Sequence, residues 1–230
     1  MSTPSTAPNP PLICSSCHER ATGTHICSSC GKLLQLPQGT DYFALFEMPR
    51  KLWIEMSALE QKFLQLSWKL HPDNFVNASE EERALSLKRS SELNDAYRTL
   101  RDPVGRVEYL LAIESERKEG EKKQQAPPEL LEEVFELNES LDEWREAKSA
   151  GNDLAALKAR LESAEKNFGE KLSAVDHELQ AVAREWDTAI DANADAAARK
   201  TLMARMNECL NRRSYIRNLV TGVAKELGEI

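Results

Sequence analysis

Apolar residues recur every three to four positions through the middle of this 230-residue chain, a spacing that places them on one face of a helix. Ser57 and Glu60 form a capping box that opens the first such helix. Pro72 ends it, because a residue that precedes proline is disfavoured in the helical conformation. The apolar face of this helix comprises Leu59, Phe63, Leu66 and Leu70.

A second helix follows after a loop of eight to nine residues. Ser79 and Glu82 form its capping box. Its apolar face comprises Leu85, Leu93, Ala96, Tyr97 and Leu100. Asp102 and Pro103 then supply an N-cap and a proline at the first helical position, which together open a third helix. Residues 57–100 therefore predict two antiparallel helices.

The C-terminal part of the chain contains three further apolar stripes with helical spacing, over residues 130–144, 154–186 and 202–227. Gly151 and the stretch 191–195 separate them. This pattern predicts a three-helix bundle. Because no alternating β-branched run is long enough for a sheet, we expect an all-α fold, with any strands confined to a small N-terminal knuckle or hairpin.

Acidic residues outnumber basic ones, 38 to 30, which gives a formal net charge of −8. Nucleic acids and anionic membranes require a cationic surface, so the composition argues against both partners. No stretch approaches the roughly 18 apolar residues of a membrane helix. The N-terminus has neither the apolar core of a secretory signal nor a basic transit peptide, so we expect a cytoplasmic protein, with an organellar matrix after processing as the alternative.

Four of the five cysteines fall within the first 30 residues, as two C-x-x-C pairs: Cys14 with Cys17, and Cys27 with Cys30. In a reducing compartment such pairs bind metal more often than they form disulfides. Two short knuckles can converge on one tetrahedral ion, and Gly31 permits the tight turn after the second pair. The spacing predicts one structural zinc ion in a tetracysteine segment over residues 12–38.

Two other interpretations of these cysteines are a redox dithiol and unpaired reduced thiols. A thioredoxin-like dithiol requires a βαβ setting, which is missing here. His18 and His25 lie close enough to compete as ligands, although four thiolates complete the shell. The role of the segment in stability, self-association or partner binding stays open.

The tripeptide His71-Pro72-Asp73 lies in the loop between the two capped helices, and Asn94-Asp95-Ala96-Tyr97 lies near the end of the second helix. This arrangement resembles the J domain of DnaJ-type co-chaperones, whose His-Pro-Asp loop and preceding helix engage an ATPase chaperone and trigger ATP hydrolysis. The other interpretation is a turn whose His and Asp cap neighbouring helices. No nucleotide-binding or hydrolase motif is present, so we expect no enzyme activity.

Three further stretches, 41–46, 100–111 and 136–143, are similar to the HscB family of iron–sulfur co-chaperones. The resemblance covers nearly all of residues 41–230, and a Cys-rich head is similar to the family's eukaryotic and some of its bacterial forms. It implies an L-shaped molecule whose J domain recruits a DnaK/HscA-type chaperone while the C-terminal bundle binds and delivers an IscU-type scaffold.

Leu131 and Phe135 lie one step off the apolar stripe of the first bundle helix, where residues 129–145 contain seven acidic residues and one basic residue. Apolar side chains beside carboxylates predict a docking surface. The alternative is that both residues widen the core stripe. The scaffold-binding positions implied by the resemblance are Leu131, Phe135, Glu136, Glu139 and Tyr215.

Lys62 and Lys69 are seven residues apart and share one face of the helix before the His-Pro-Asp loop. The resemblance implies that this basic face, with His71, Pro72 and Asp73, binds the chaperone. Two lysines on a solvated helix are the plain alternative.

The expected organisation is a disordered N-terminus over 1–11, the tetracysteine segment over 12–38, a J domain over 39–114, a linker over 115–128 and the bundle over 129–230. Two other functions remain as alternatives: a general J-domain co-chaperone for unfolded clients, and a zinc-dependent nucleic-acid-binding protein. Weak self-association is also left open.

Overall fold

The computed structural model describes residues 12–21, 24–116 and 127–228, and within these ranges the regular secondary structure is helical, with no strands. The predicted all-α fold is therefore confirmed. The helices are α1 (Tyr42–Leu45), α2 (Met56–Leu70), α3 (Glu80–Arg101), α4 (Pro103–Ile113), α5 (Leu131–Ala150), α6 (Ala155–Asp191) and α7 (Ala196–Leu227). The predicted disordered N-terminus, 1–11, and most of the predicted linker, 117–126, lie outside the described residues.

The chain divides into two compact units between Arg106 and Val107. In the first unit, α2 and α3 pack as an antiparallel pair. The Phe63 and Tyr97 rings stack in the middle of this pair, with centroids 4.2 Å apart. At its loop end the Ser86 hydroxyl donates to the Leu70 carbonyl at 2.8 Å. Nine residues, 71–79, separate the two helices, in agreement with the sequence prediction.

The N-cap residue agrees with the prediction for two of the three helices, although the Glu82 carboxylate does not complete the predicted capping box but accepts from the Leu33 N–H. Ser79 caps α3, and Asp102 caps α4 by accepting from the Gly105 N–H at 2.8 Å. The assignment of Ser57 as the cap of α2 is wrong. The helix begins earlier, at Met56, so Ser57 lies inside its first turn and donates its backbone N–H to the Glu55 carboxylate at 3.2 Å. Glu55 is the cap.

The second unit contains the three predicted bundle helices. Gly151 ends α5 in the left-handed conformation, with φ 70°, which a glycine adopts without strain. Ion pairs between Arg213 and Asp176 at 2.6 Å and between Arg145 and Glu226 at 2.7 Å connect α7 to its two neighbours. The buried core includes Val134, Leu137, Trp144, Leu161, Phe168, Val175, Leu179, Val182, Trp186, Met203, Met206, Cys209, Leu210, Ile216 and Val223.

Within the ranges that the structure describes, no helix is both long enough and apolar enough to cross a membrane.

Candidate functional sites

The tetracysteine segment folds as two small hairpins, each closed by an antiparallel bridge: Ile13 with Arg20, and Ile26 with Leu33. The turn of each hairpin holds one cysteine pair. In the second turn the Gly31 N–H donates to the Cys27 carbonyl at 2.9 Å and Gly31 adopts φ 73°. This geometry agrees with the turn expected for that glycine.

The first turn repeats this geometry with a histidine at the matching position. The His18 N–H donates to the Cys14 carbonyl at 2.9 Å, and His18 adopts φ 62°. A left-handed conformation costs a residue with a Cβ about 1–2 kcal/mol.

The four cysteine sulfurs converge on one point. Their Sγ atoms all lie within 4.8 Å of one another, with Cys14 to Cys30 at 3.6 Å and Cys17 to Cys27 at 3.7 Å. These separations exceed the roughly 2.05 Å of a disulfide bond. A tetrahedron with Zn–S bonds of about 2.3 Å has edges of about 3.8 Å, which is close to these two separations. The four side chains could therefore hold a metal ion.

Backbone amides favour the thiolate form of one cysteine in each pair. The Cys17 N–H lowers the pKa of Cys14, and the Cys30 N–H lowers the pKa of Cys27 to about 6. A metal ligand must be deprotonated, so these amides prepare two of the four sulfurs for an ion.

Neither histidine of this segment joins the sulfur cluster. His18 is exposed, and the metal-ligating group consists of the four cysteines alone within the described residues. His25 is buried, and its Nε2 lies 2.9 Å from the Leu45 carbonyl oxygen. Because a carbonyl only accepts, Nε2 is the donor, and burial lowers the pKa of this imidazole. His25 thus attaches the segment to α1.

Glu82, in the first turn of α3, makes a second contact between the segment and the helices. Its Oε1 accepts from the Leu33 N–H at 3.2 Å, and its Oε2 lies 3.9 Å from the Lys32 ammonium. The capping-box assignment missed this role, because the partners are 49 residues away in sequence.

The His71 loop is a short 3-10 turn over Pro72–Phe75. The His71 Nδ1 accepts from the Asp73 N–H at 3.3 Å, so the histidine caps this turn. Both side chains nevertheless remain open to solvent, with His71 54% exposed and Asp73 84% exposed. The structure therefore presents the His-Pro-Asp residues on the surface, at the end of α2.

Lys62 and Lys69 differ in their surroundings. The Lys62 ammonium donates to the carbonyls of Phe46 and Glu47 at 2.9 and 3.3 Å, where it satisfies acceptors at the end of α1. Lys69 is exposed near the His71 loop. Lys62 and Lys69 therefore do not form one free basic face, because only the Lys62 ammonium binds these carbonyls.

An exposed apolar pair that was not predicted from the sequence lies on the same helix. Leu64 and Trp68 are 60% and 79% exposed. They lie four residues apart on the outer face of α2, and the Asn74 amide donates to the Trp68 carbonyl at 2.6 Å. The signal was present in the sequence, since two large apolar residues at i and i+4 fall outside the buried stripe.

On α5, Leu131 and Phe135 do not widen the core, because they are 56% and 71% exposed. Glu136 and Glu139 are exposed on the same helix. Tyr215 on α7 is half-buried, and burial raises its pKa.

An ion pair shows how α7 lies against the start of α5. The Arg212 guanidinium is 3.7 Å from the Glu129 carboxylate. Tyr215 follows Arg212 by three residues and so shares its side of α7. The structure thus brings the Tyr215 region of α7 close to the beginning of α5, where Leu131 lies.

The helical hairpin with a surface His-Pro-Asp loop, followed by a separate bundle, defines a J-domain co-chaperone. No protein-family model matches the chain. It is 34% identical over 151 residues to the co-chaperone protein HscB homolog of Vibrio vulnificus strain YJ016, which covers 66% of this chain and 85% of that protein. The homolog from Photobacterium profundum is 32% identical over 152 residues. The chain therefore belongs to the HscB co-chaperone family.

Two solved structures have a similar fold. The human co-chaperone HscB has a similar fold, with a TM-score of 0.60 over 94% of this chain and 99% of that chain, at 23% identity. HscB from Vibrio cholerae is 25% identical, with a TM-score of 0.50 over 82% of this chain and 98% of that chain.

Proposed function

We propose that this protein is a two-ended adaptor in iron–sulfur cluster biogenesis. The J domain stimulates ATP hydrolysis by a DnaK/HscA-type chaperone, and the C-terminal bundle binds an IscU-type scaffold and delivers it to that chaperone. The observation that carries the proposal is membership of the HscB family, combined with two exposed candidate surfaces on different compact units.

The chaperone-binding end consists of the His71 loop and α2. His71 and Asp73 are exposed and close together, with the His71 Nδ1 3.4 Å from an Asp73 carboxylate oxygen. No catalytic task is assigned to this pair. Its role is recognition, so the ATP is hydrolysed by the partner and this chain remains a non-enzymatic regulator. Pro72 fixes the turn, Lys69 adds positive charge, and Lys62 supports the end of α1.

The scaffold-binding end is the exposed face of α5. Leu131 and Phe135 provide apolar area that is desolvated on docking, while Glu136 and Glu139 supply charge around it. Tyr215 adds an aromatic side chain from α7. Interfaces commonly place apolar and aromatic anchors at the centre and charged groups at the rim, which supports this choice of residues.

The metal held by the four cysteines is zinc in this proposal. Four thiolates at tetrahedral separations are the usual ligands of structural zinc, which supplies folding free energy rather than chemistry. Zinc-bound thiolates are typical of reducing compartments, so the proposal places the protein in the cytoplasm.

The benefit of joining two binding surfaces in one chain is proximity. A scaffold bound to the second unit is held at a raised effective concentration near a chaperone bound to the first. This proximity favours transfer of the scaffold to the chaperone, and ATP hydrolysis becomes coupled to that transfer.

Co-precipitation with purified partners tests the proposal. Tagged wild-type protein is expected to retain both a DnaK-type chaperone with ATP and an IscU-type scaffold. The double variant Leu131→Ala/Phe135→Ala should retain the chaperone and lose the scaffold. If wild-type protein binds the chaperone and unfolded model clients but no scaffold, the protein is a general J-domain co-chaperone and the adaptor proposal is wrong.

A further inference from the structure

The second knuckle of the tetracysteine segment is attached to the helices on both sides of its cysteines. His25 precedes Cys27 by two residues and donates to the Leu45 carbonyl at 2.9 Å. Lys32 and Leu33 follow Cys30 directly after Gly31, and both contact the Glu82 carboxylate. An ion that holds this knuckle in its folded conformation therefore also holds in place its two contacts with the helices, at Leu45 and at Glu82.

The segment has little else to hold it in shape. Its own buried cluster comprises Cys14, Ala21, Cys27 and Leu34, with Leu12 and Cys17 packed against it. Half of these residues are cysteines that a metal would cross-link. So small an apolar cluster supplies too little free energy to fold a segment of this length, and such segments depend on the ion. The anchors are consequently present only when the knuckles are folded.

Glu82 lies at a position where its contact with the segment can stabilise the start of α3. It belongs to the first turn of α3, directly after the loop that contains His71. Its carboxylate is largely shielded from solvent, which strengthens its hydrogen bond with the Leu33 N–H. The contact joins the segment to the point at which the loop returns to a helix.

The geometry points to thermodynamic coupling between metal occupancy of the four cysteines and the stability of the start of α3. We propose Glu82 as the positioning residue that transmits this coupling, with His25 as the second anchor on α1. The inference rests on the metal binding proposed above. An ion that binds only the folded segment also stabilises the residues that the segment contacts, and by linkage those contacts strengthen the binding of the ion.

A cavity marks the same junction. It has a volume of about 330 Å³ and lies between the segment and α2, with Thr24, His25 and Ile26 on one side and Lys62, Gln65 and Lys69 on the other. Loss of the ion would remove one wall of this cavity. Metal occupancy therefore also determines the surroundings of Lys69, beside the proposed chaperone-binding loop.

Hydrogen exchange followed by mass spectrometry tests the coupling. The full chain is compared with zinc bound and after stripping by a chelator, with metal content measured on the same samples. In wild-type protein, stripping is expected to accelerate exchange in the α3 peptides that begin at Glu80 by roughly tenfold, the size of effect that a hydrogen bond to a charged acceptor gives. Zinc-bound Glu82→Ala should already show most of that acceleration, and stripping should add little to it.

Glu81→Ala is the matched control. Glu81 is the neighbouring exposed carboxylate in the same helical turn, so its loss changes helix charge and propensity equally, and this variant should respond to stripping like wild type. If the α3 peptides of Glu81→Ala and Glu82→Ala exchange at equal rates with zinc bound and after stripping, the role proposed for Glu82 is wrong. Stoichiometric zinc binding with unchanged α3 exchange would overturn the coupling alone, whereas a chain that binds no zinc would overturn the metal proposal as well.

Discussion

The rings of Phe63 and Tyr97 stack with centroids 4.2 Å apart and planes inclined by 14°, and they join α2 to α3. Stacked aromatic pairs contribute about 0.5–1.5 kcal/mol beyond their buried area. We predict a coupling of about 1 kcal/mol in the double-mutant cycle of Phe63→Leu and Tyr97→Leu, measured by urea unfolding. Trp68→Leu, which changes an exposed aromatic on α2, should alter stability by less than about 0.5 kcal/mol. Additive effects of the pair would show that the stacking contributes no energy of its own.

Buried Arg106 should be important for the stability of the first unit. Its guanidinium donates to the carbonyls of Leu100, at 2.7 Å, and of Leu52. Arg106→Met leaves both buried acceptors without this donor, so the free energy of unfolding should fall by about 2–4 kcal/mol in a denaturant titration. The control is Arg98→Met on the surface of α3, whose ion pair with Asp95 spans 4.0 Å and should matter little. An equal fall in the free energy of unfolding for Arg106→Met and Arg98→Met would contradict this prediction.

The five cysteines should separate into four reactive thiols and one protected thiol. Cys209 is buried between the bundle helices, and burial raises its pKa to about 11, so at pH 8 it remains a neutral thiol. A thiol reagent at pH 8 should modify no cysteine rapidly in zinc-loaded protein and four after chelation. The fifth should react only after unfolding. Rapid modification of Cys209 in the folded, stripped protein would be inconsistent with its burial.

Substitutions on the exposed face of α5 should weaken scaffold binding without changing the free energy of unfolding. Phe135→Ala is expected to weaken scaffold binding by at least about tenfold, as truncation of an interface anchor does, while unfolding changes by less than about 0.5 kcal/mol. Val134→Ala, one position away and buried, should do the opposite and destabilise the bundle by about 1–3 kcal/mol. Isothermal calorimetry and denaturant unfolding separate the two effects. Unchanged affinity in Phe135→Ala would remove this face from the interface.

Local patterns predicted most of the fold because each depends on residues close in sequence. The helix breaks at Pro72 and Gly151, and the cap at Asp102, are all signalled within a few positions. The cap of α2 was misassigned because Ser57 and Glu55 both accept hydrogen bonds well near a helix start, and the sequence does not show which residue has the extended conformation.

The tetracysteine cluster was predictable from spacing, whereas its attachment to the helices was not. The contact of Glu82 with Leu33 depends on how two distant segments pack, and neither residue carries a local signal for it. The same limit applies to Lys62, which resembles a free surface lysine in the sequence but binds two carbonyls in the structure.

The central claim is that the His71 loop makes this chain an activator of a chaperone that receives a scaffold. The direct measurement is the rate of ATP hydrolysis by a purified DnaK/HscA-type chaperone, with and without the IscU-type scaffold, in the presence of wild-type protein or His71→Gln. The account predicts that wild-type protein accelerates hydrolysis, more strongly with the scaffold present, and that His71→Gln abolishes the acceleration while scaffold affinity is unchanged. Equal stimulation by His71→Gln and wild-type protein would contradict it.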